Sequence, residues 1–295
     1  MSRRRIAAVL TALVLGSLTP VVLPAAGASA ASCSSYPNWV AGQSYVTGQI
    51  VRYTDGKAYI AEHDNPGYDP VISTWYWEPY ACDGSGTPVG NFVVSEAQFN
   101  QMFPSRNSFY TYSGLTAALS AYPGFANTGS DTTKKQEAAA FLANVSHETG
   151  GLVYIVEQNT ANYPTYCDWS QSYGCPAGQA AYYGRGPLQI SWNFNYKAAG
   201  DALGIDLLGN PWLVQNDSAV AWKTALWYWN TQSGPGSMTP HNAMVNGAGF
   251  GQTIRSINGS IECDGKSPAQ VQSRVDAYTR FTSILGTGTG ANLYC

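Results

Sequence analysis

The chain has 295 residues, of which 11% are charged and 13% are aromatic, and its formal net charge is −3. An acidic chain with so few charges argues against a nucleic-acid partner, which requires clustered Lys and Arg. The 20 tyrosines and 9 tryptophans favour a neutral partner, because flat neutral sugars stack on such rings, although most of the rings are expected to fill hydrophobic cores.

Residues 1–30 are predicted to be a secretory signal peptide rather than part of the fold. Three arginines at positions 3–5 precede an apolar run that ends in small residues at Ala28–Ala30, the usual form of such a signal. No later run approaches the roughly 18 apolar residues that a spanning helix needs. The sequence therefore predicts a secreted, extracellular protein without a membrane partner. Its formal charge after cleavage is −6, because three arginines and no acidic residue leave with the signal.

Residues 31–82 are predicted to form a small all-β module. Short alternating apolar runs lie on both sides of TDGK, 54–57, and the Asp-Gly pair is typical of a hairpin turn. About fifty residues bury little core, so a disulfide that brackets the module is expected. A polar stretch rich in Gly, 83–91, is interpreted as a linker.

From residue 92 the composition changes to helix formers, and 92–295 is predicted to be a larger, mainly α domain. A capping box in VSEAQFNQMF and a second one predicted at Thr133 each indicate a helix start. Apolar residues follow Thr133 at helical spacing, and the glycine pair at 150–151 predicts the end of that helix.

The six cysteines are predicted to form disulfides, since an even number in an exported protein favours disulfides over metal ligands. Their positions suggest pairs that bracket the first module, close a short loop and attach the C-terminus. The predicted pairs are Cys33–Cys82, Cys167–Cys175 and Cys263–Cys295.

The stretch VSHETGGLVYIVEQN, 145–159, has two possible chemistries. A zinc-protease helix needs a second histidine four residues after the first, but glycine stands four residues after His147 and the glycine pair ends the helix. The other histidines, His63 and His241, are distant along the chain. The sequence therefore predicts no metal site and no cofactor.

Glu148 and Glu157 suit acid/base chemistry better. Glu148 lies near the apolar stripe at the last turn of the predicted helix, where partial desolvation and the negative end of the helix dipole both raise the pKa of a carboxyl group. Glu157 follows in a polar segment, where it is expected to be wetter and ionised. Carboxyls in two opposed environments are typical of glycoside hydrolysis, although spacing alone leaves open that the two glutamates share no task.

Two later stretches add polar groups. YYGRGPLQISWNFNY has glycines that allow a close approach to the backbone, followed by Gln, Ser and Asn side chains. Asn258, Glu262 and Arg274 lie in the last third of the chain. A lone Arg-Glu pair contributes little at a surface, but beside a catalytic carboxyl it can change the pKa of that group.

The stretches FLANVSHETGG, YYGRGPLQIS and INGSIEC together resemble the chitinases of glycoside hydrolase family 19, in order and spacing, over essentially Phe92 to Cys295. The resemblance implies a lysozyme-like helical fold with a cleft. It also implies endo-acting, inverting hydrolysis of β-1,4 links between N-acetylglucosamine units. The expected partners are chitin and N-acetylglucosamine oligomers, and the expected state is a monomer.

The resemblance also implies roles for individual residues. Glu148 matches the general acid and Glu157 the general base, with Ser191 helping to hold the attacking water. The residues implied to bind substrate are His147, Gln189, Asn195 and Asn258, and those implied to support the acid are Glu262 and Arg274. Phe194 departs from the family, because many members have a tyrosine there and one hydroxyl contact to sugar is lost.

The first module resembles the small chitin-binding modules of carbohydrate-binding families 5 and 12. Many members have two adjacent exposed aromatic residues after a YTA-like strand, where this chain has Glu62 and His63. Another sugar platform is therefore expected, although one or two of its candidate rings must be core in so small a domain. The candidates are Tyr59, Trp75, Tyr76 and Trp77.

Two alternative functions remain open. A non-catalytic chitin-binding or antifungal protein is disfavoured because Glu148, Glu157 and Ser191 are all present. A hydrolase for peptidoglycan or chitosan is harder to exclude. Cationic chitosan calls for more cleft carboxylates, and only five glutamates lie in 92–295.

Overall fold

The computed structural model describes residues 36–73, 75–80 and 92–295. Three predictions from the sequence lie outside the described residues: the signal peptide 1–30, the linker 83–91 and the disulfide Cys33–Cys82. Within the described part of the chain, no helix is both long enough and apolar enough to cross a membrane.

The N-terminal region contains a three-stranded antiparallel sheet in the order β1-β2-β3. Its strands are β1 (Ile50–Arg52), β2 (Ala58–Ala61) and β3 (Trp77–Tyr80). The predicted hairpin at TDGK is present: β1 and β2 pair across it, and Gly56 has a φ of 82°, which favours glycine. A small core forms where Val51 of β1 and Trp77 of β3 pack together with Tyr45.

Residues 92–295 form a largely helical domain. Its helices are α1 (Glu96–Met102), α2 (Tyr112–Ala118), α3 (Asp131–Thr149), α4 (Asn193–Leu203), α5 (Leu213–Asn216), α6 (Ser218–Thr231), α7 (Pro240–Val245), α8 (Phe250–Glu262) and α9 (Pro268–Ile284). Short 3₁₀ helices occur at Leu119–Ala121, Thr160–Tyr166 and Gln179–Ala181.

Helix α3 is largely buried from Glu137 onward and ends one residue after Glu148. Its N-cap is Ser130, whose hydroxyl accepts from the Thr133 backbone N–H, so the predicted cap at Thr133 is wrong by three residues. Ser130 takes this role because it has extended backbone and is followed by the acidic first-turn residue Asp131, which suits a helix N-terminus. Gly150 ends the helix in the left-handed conformation, as predicted.

The helical domain has two buried cores that α6 joins. One surrounds α3, where Phe141 packs edge-on against Phe125 and Trp229. The other lies around α4 and includes Tyr182 and Tyr196. Two of the predicted disulfides are confirmed: Cys167–Cys175 closes a loop beside the second core, and Cys263–Cys295 joins the end of α8 to the C-terminus.

Candidate active site

Glu148 lies in the last turn of α3, and its side chain is 17% exposed. The helix ends directly after it, at Gly150 in the left-handed conformation. The Thr149 hydroxyl accepts from the backbone N–H of Leu152 and donates to the Val145 carbonyl. Leu152 has a φ of 63° and turns the chain away from the helix. The end of α3 is therefore a tight turn in which Thr149 and Leu152 are buried, while Gly150 and part of the Glu148 side chain are exposed.

A buried cation contacts Glu148 from α9. Arg274 has no exposed side-chain surface and donates to Glu148 through Nη2. The same guanidinium donates to both carboxylate oxygens of Glu262, at 2.7 and 2.8 Å, and through Nη1 to the amide oxygen of Asn144 at 3.0 Å. One cation is thus shared by two carboxyl groups.

The pKa values around this cation follow from burial and charge. Burial alone would raise the pKa of Glu262, but the hydrogen bonds and the positive charge of Arg274 outweigh it and hold the pKa below its ordinary value. Burial alone would lower the pKa of Arg274, and the two carboxylates raise it instead. Burial and the charge of Arg274 lower the pKa of His147, which favours a neutral imidazole there.

Asn258 joins this cluster from α8, four residues before Glu262, which is the spacing of neighbouring side chains on a helix. Its φ of −141° and ψ of 21° are not helical, so α8 is interrupted at this residue. Its amide nitrogen donates to Glu262 Oε1 at 2.7 Å. The amide oxygen therefore remains to accept from a bound molecule.

Glu157 lies on an extended segment after the turn, and it is half-buried. Its backbone N–H donates to the Gly184 carbonyl at 2.9 Å. Its carboxylate accepts from Asn162 at 2.9 Å and from Tyr166 at 3.0 Å, both at Oε1. Neutral donors, rather than a cation, thus surround this carboxyl.

The GRGPLQIS stretch forms the wall next to Glu157. Arg185 forms isolated backbone bridges to Val156 and to Ile190, which fold the stretch into a tight loop. Gln189 and Trp192 have positive φ values of 47° and 72°. Such conformations are strained for residues other than glycine and cluster at functional sites.

A cavity of about 410 Å³ brings most of the predicted residues together. Six of the residues that line it are Glu148, Glu157, Tyr166, Gln189, Ser191 and Asn258. A neighbouring cavity of about 340 Å³ shares Glu148 and Asn258 with it and adds His147, Glu262 and Arg274. Asn195 lines neither of these cavities, and its amide donates to the Ser191 carbonyl at 2.9 Å.

Two alternatives for the site find less support. A larger cavity, of about 740 Å³, lies between the β region and the helical domain, but none of Glu148, Glu157 and Ser191 lines it.

Among the residues that the structure describes, no three His, Cys, Asp or Glu side chains form a group that could hold a metal ion.

Sequence reasoning missed Asn162 and Tyr166, which lie five and nine residues after Glu157. Their signal was weak, because both belong to a polar stretch that reads as an irregular loop. It also missed the burial of Arg185, which stacks on the Tyr183 ring at 3.5 Å. The chemistry of these side chains becomes visible only when the loop is folded.

The aromatic residues predicted for the first module fall into two groups. Tyr59 and Trp77 are only 5% and 1% exposed and belong to the small core, so they are not available as a sugar platform. Trp75 stacks on His63 at 3.7 Å, and His63 pairs with Asp217 of the helical domain at 3.0 Å. Tyr76 is half-buried and packs against the exposed ring of Tyr68.

Comparisons with known proteins agree on one family. The family model for glycoside hydrolase family 19, described as "Chitinase class I", matches residues 93–295. Endochitinase A of Zea mays is 45% identical over 210 residues, which are 69% of this chain and 71% of that protein. The crystal structure of a bacterial family 19 chitinase is 83% identical, covers 69% of this chain and 100% of its own, and has a TM-score of 0.69. A crystal structure of a mutant of chitinase C is 66% identical, covers 88% of this chain and 100% of its own, and has a TM-score of 0.69.

Proposed function

The chain belongs to glycoside hydrolase family 19, and on that premise we propose that it is a secreted endochitinase. It cleaves β-1,4 links between N-acetylglucosamine units with inversion at the anomeric carbon. Its helical domain has the lysozyme-like fold of the family. The observation on which the proposal depends is that Glu148, Glu157 and Ser191 line one cavity.

The reaction needs one protonated carboxyl group, the acid, and one ionised carboxyl group, the base. Glu148 donates its proton to the glycosidic oxygen as the C1–O bond breaks, and Glu157 accepts a proton from the water that attacks C1 from the opposite face. The water oxygen becomes the new anomeric hydroxyl oxygen. An inverting pair requires carboxyls roughly 6.5–9.5 Å apart, so that the water fits between Glu157 and the sugar.

The buried cluster supports the acid in both of its states. When Glu148 is protonated, Arg274 and Glu262 form a neutral pair, which avoids an uncompensated buried charge. When the proton leaves, the new carboxylate is already in contact with Arg274. The cation therefore stabilises a charge that develops during the reaction, without any movement of the protein.

The remaining cleft residues position water and sugar. The Ser191 hydroxyl lines the cavity next to Glu157 and helps to hold the water. The amide nitrogens of Gln189 and Asn258 are occupied by Gly186 and Glu262. Their amide oxygens accept from hydroxyl or acetamide N–H groups of the substrate.

The domain organisation is part of the same proposal. Residues 31–82 form a chitin-binding module, 83–91 a linker and 92–295 the catalytic domain. The module binds through Trp75, Tyr76 and the exposed Tyr68, since Tyr59 and Trp77 are buried. One chitinase C structure supports this organisation, because it aligns with 88% of this chain, more than the helical domain alone.

The test of the activity uses soluble N-acetylglucosamine oligomers, with the anomer of the fresh product read by NMR. The wild type should release the α-anomer from β-linked substrate. Glu148→Gln should abolish turnover, and Glu157→Gln should lower it severely, while both variants stay folded by circular dichroism. A β-anomer product would overturn the inverting mechanism, and full activity of Glu148→Gln would overturn the site. Faster turnover of chitosan or peptidoglycan oligomers would overturn the substrate assignment.

The test of the module compares the full chain with a variant that lacks residues 31–91. The deletion should weaken activity on solid chitin and leave turnover of soluble oligomers unchanged, because the cleft lies in 92–295. A Trp75→Ala, Tyr76→Ala variant of the full chain should reproduce the loss on solid chitin. Equal loss on both substrates would show that the module has a structural role instead.

A further inference from the structure

The two oxygens of the Glu157 carboxylate have different surroundings. Oε1 accepts from Asn162 Nδ2 at 2.9 Å and from Tyr166 OH at 3.0 Å. Oε2 has one protein donor among the described residues, the Gly184 backbone N–H at 3.4 Å, which is longer than an ordinary N–H···O bond. One oxygen is therefore anchored, and the other is nearly free.

A short helix that folds back over Glu157 creates this difference. The 3₁₀ helix Thr160–Tyr166 begins three residues after Glu157 and places the side chains of Asn162 and Tyr166 on the same oxygen. Tyr163, between them, donates its hydroxyl to the Glu157 backbone carbonyl at 2.9 Å. The helix thus holds both the backbone and one carboxylate oxygen of Glu157.

A column of stacked groups holds the helix in place. The Tyr163 ring stacks on the Tyr183 ring, with centroids 3.6 Å apart, and the Tyr183 ring lies 3.5 Å from the Arg185 guanidinium. Arg185 is fully buried and donates to Gln215, to Tyr196 and to the Ala181 carbonyl, each at 2.7 Å. The anchor of Glu157 is therefore built on the second core rather than on a free loop.

We propose that Asn162 and Tyr166 are positioning residues that anchor Oε1 and leave Oε2 as the oxygen that takes the proton from water. The proposal rests on Glu157 being the general base, as argued above. The water O–H bond breaks as the O–C1 bond forms, and the proton goes to Oε2. A proton on Oε1 instead would face the N–H of Asn162 and cost at least one of the two hydrogen bonds.

Both anchors are hydrogen-bond donors, and a carboxylate oxygen is an acceptor, so the two groups match Oε1 in kind. Burial, together with the hydrogen bond to Glu157, raises the pKa of Tyr166 to about 12, so that the phenol remains a donor through neutral pH. In the part of the chain that the structure describes, the other titratable or charged groups around Glu157 include Tyr163, Tyr183 and Arg185 on the side of the 3₁₀ helix. Glu148 and Tyr154 line the same cavity as Glu157.

The chain offers a matched pair of variants for the test. Tyr166→Phe and Tyr163→Phe each remove one hydroxyl that donates to Glu157 at about the same length, but only the first donates to the carboxylate. Both variants, with Asn162→Ala, are assayed on soluble N-acetylglucosamine oligomers for kcat and KM across pH, and thermal unfolding is followed in parallel.

Tyr166→Phe and Asn162→Ala should each lower kcat roughly tenfold, with little change in KM, because a hydrogen bond to a charged group is lost. The acid limb of kcat/KM should move to higher pH in both variants, because a carboxylate that loses a hydrogen-bond donor keeps a proton more readily. Tyr163→Phe should lose about as much thermal stability as Tyr166→Phe does. The acid limb of its kcat/KM profile should stay where it is in the wild type.

Two results would overturn the proposal. One is an acid limb that stays in place in Tyr166→Phe and Asn162→Ala. The other is an equal shift in all three variants, which would make the effect structural. The variant Glu157→Gln separates a failure of this proposal from a failure of the proposed function. Full activity of Glu157→Gln would show that Glu157 is not the general base. An inactive Glu157→Gln together with an unshifted acid limb in Tyr166→Phe would disprove only the anchoring role of Asn162 and Tyr166.

Discussion

The two sides of the cleft hold their carboxyl groups in opposite ways. The Glu148 side consists of Glu148, Glu262 and Arg274, on the ends of α3 and α8 and on α9, with a buried cation in contact with both carboxyls. The Glu157 side consists of Glu157, Asn162 and Tyr166, on irregular segments and a 3₁₀ helix, with neutral donors only.

The two sides differ because the proposed acid and the proposed base change charge in opposite directions during the reaction. An acid that loses a proton becomes an anion, and a cation in contact stabilises it. A base that gains a proton becomes neutral, and a cation in contact would oppose that step. The Glu157 side also has a buried arginine, but Arg185 lies two rings away, and no carboxylate of the described residues pairs with it.

The largest effect is expected from removing the cation of the Glu148 side. Arg274→Met leaves Glu148 and Glu262 without their shared partner, and Glu262 is buried. Removing one partner of a buried ion pair costs about 3–5 kcal/mol of unfolding free energy. Urea unfolding should show this loss. Turnover of soluble oligomers should fall roughly a hundredfold or more, because a group that stabilises developing charge is lost.

The control for this variant is Arg255→Met on α8. Arg255 pairs with Asp264 through two hydrogen bonds, at 2.8 and 2.9 Å, but the pair is largely exposed. Exposed pairs contribute about 0–1 kcal/mol, so stability and turnover should stay close to the wild type. Similar losses in both variants would mean that contact with the carboxyls of the Glu148 side is not the reason for the first loss.

A smaller effect is expected from the arginine of the Glu157 side. Arg185→Met leaves buried acceptors without a donor, which costs about 2 kcal/mol. The Tyr183 and Tyr163 rings lose the group on which they stack. Because Arg185 acts through two rings rather than on the carboxyl, turnover should fall roughly tenfold, less than in Arg274→Met.

Arg280→Met is the comparison for Arg185→Met. Arg280 also lies over an aromatic ring, that of Phe281 at 4.5 Å, and donates to the Met102 backbone carbonyl, but it is exposed. Among the described residues, no stacked rings connect it to Glu157. Both stability and turnover should therefore stay close to the wild type. Equal turnover loss in Arg185→Met and Arg280→Met would assign the effect to general loosening of the domain.

The Glu148 side was more predictable from the sequence than the Glu157 side, for a physical reason. Glu148 follows a helical apolar pattern and a glycine stop, and both signals are local. Asn162 and Tyr166 act only after a short helix folds back on Glu157. The positions of such side chains depend on long-range packing against Arg185, which no local spacing encodes.

The helix boundaries and the break in α8 also differ in how far local sequence signals predict them. The cap of α1 at Ser95 was correct because a capping box is local. The cap of α3 is Ser130 rather than Thr133, because both residue types can cap a helix and the extended backbone of Ser130, with Asp131 in the first turn, decides between them. The break of α8 at Asn258 is an exception, because it has a local signal that sequence reasoning overlooked: Gly259 follows, and Asn-Gly is a common turn pair. The contact of Asn258 with Glu262 also has the four-residue spacing that is usual along a helix.

The smallest effect is expected in the pH dependence of stability on the Glu148 side. The pKa of Glu262 is held below its ordinary value, because Arg274 outweighs the effect of burial. A carboxyl of this kind stabilises the fold above its unfolded pKa, about 4.3. That stabilisation is lost as the pH falls through the folded value, since the unfolded chain then binds the extra proton first.

Glu262→Gln removes this titration and keeps a side chain that can accept from Arg274. Urea midpoints measured from pH 7 down to pH 3 should therefore fall less steeply in the variant than in the wild type. Asp264→Asn is the comparison, because the pKa of Asp264 is also lowered, by its hydrogen bond from Arg255, but at an exposed site where solvent screens the pair. Its acid slope should match the wild type. If Glu262→Gln keeps the full acid slope, Arg274 does not hold Glu262 ionised in the folded state, and the charge contrast between the two sides of the cleft fails.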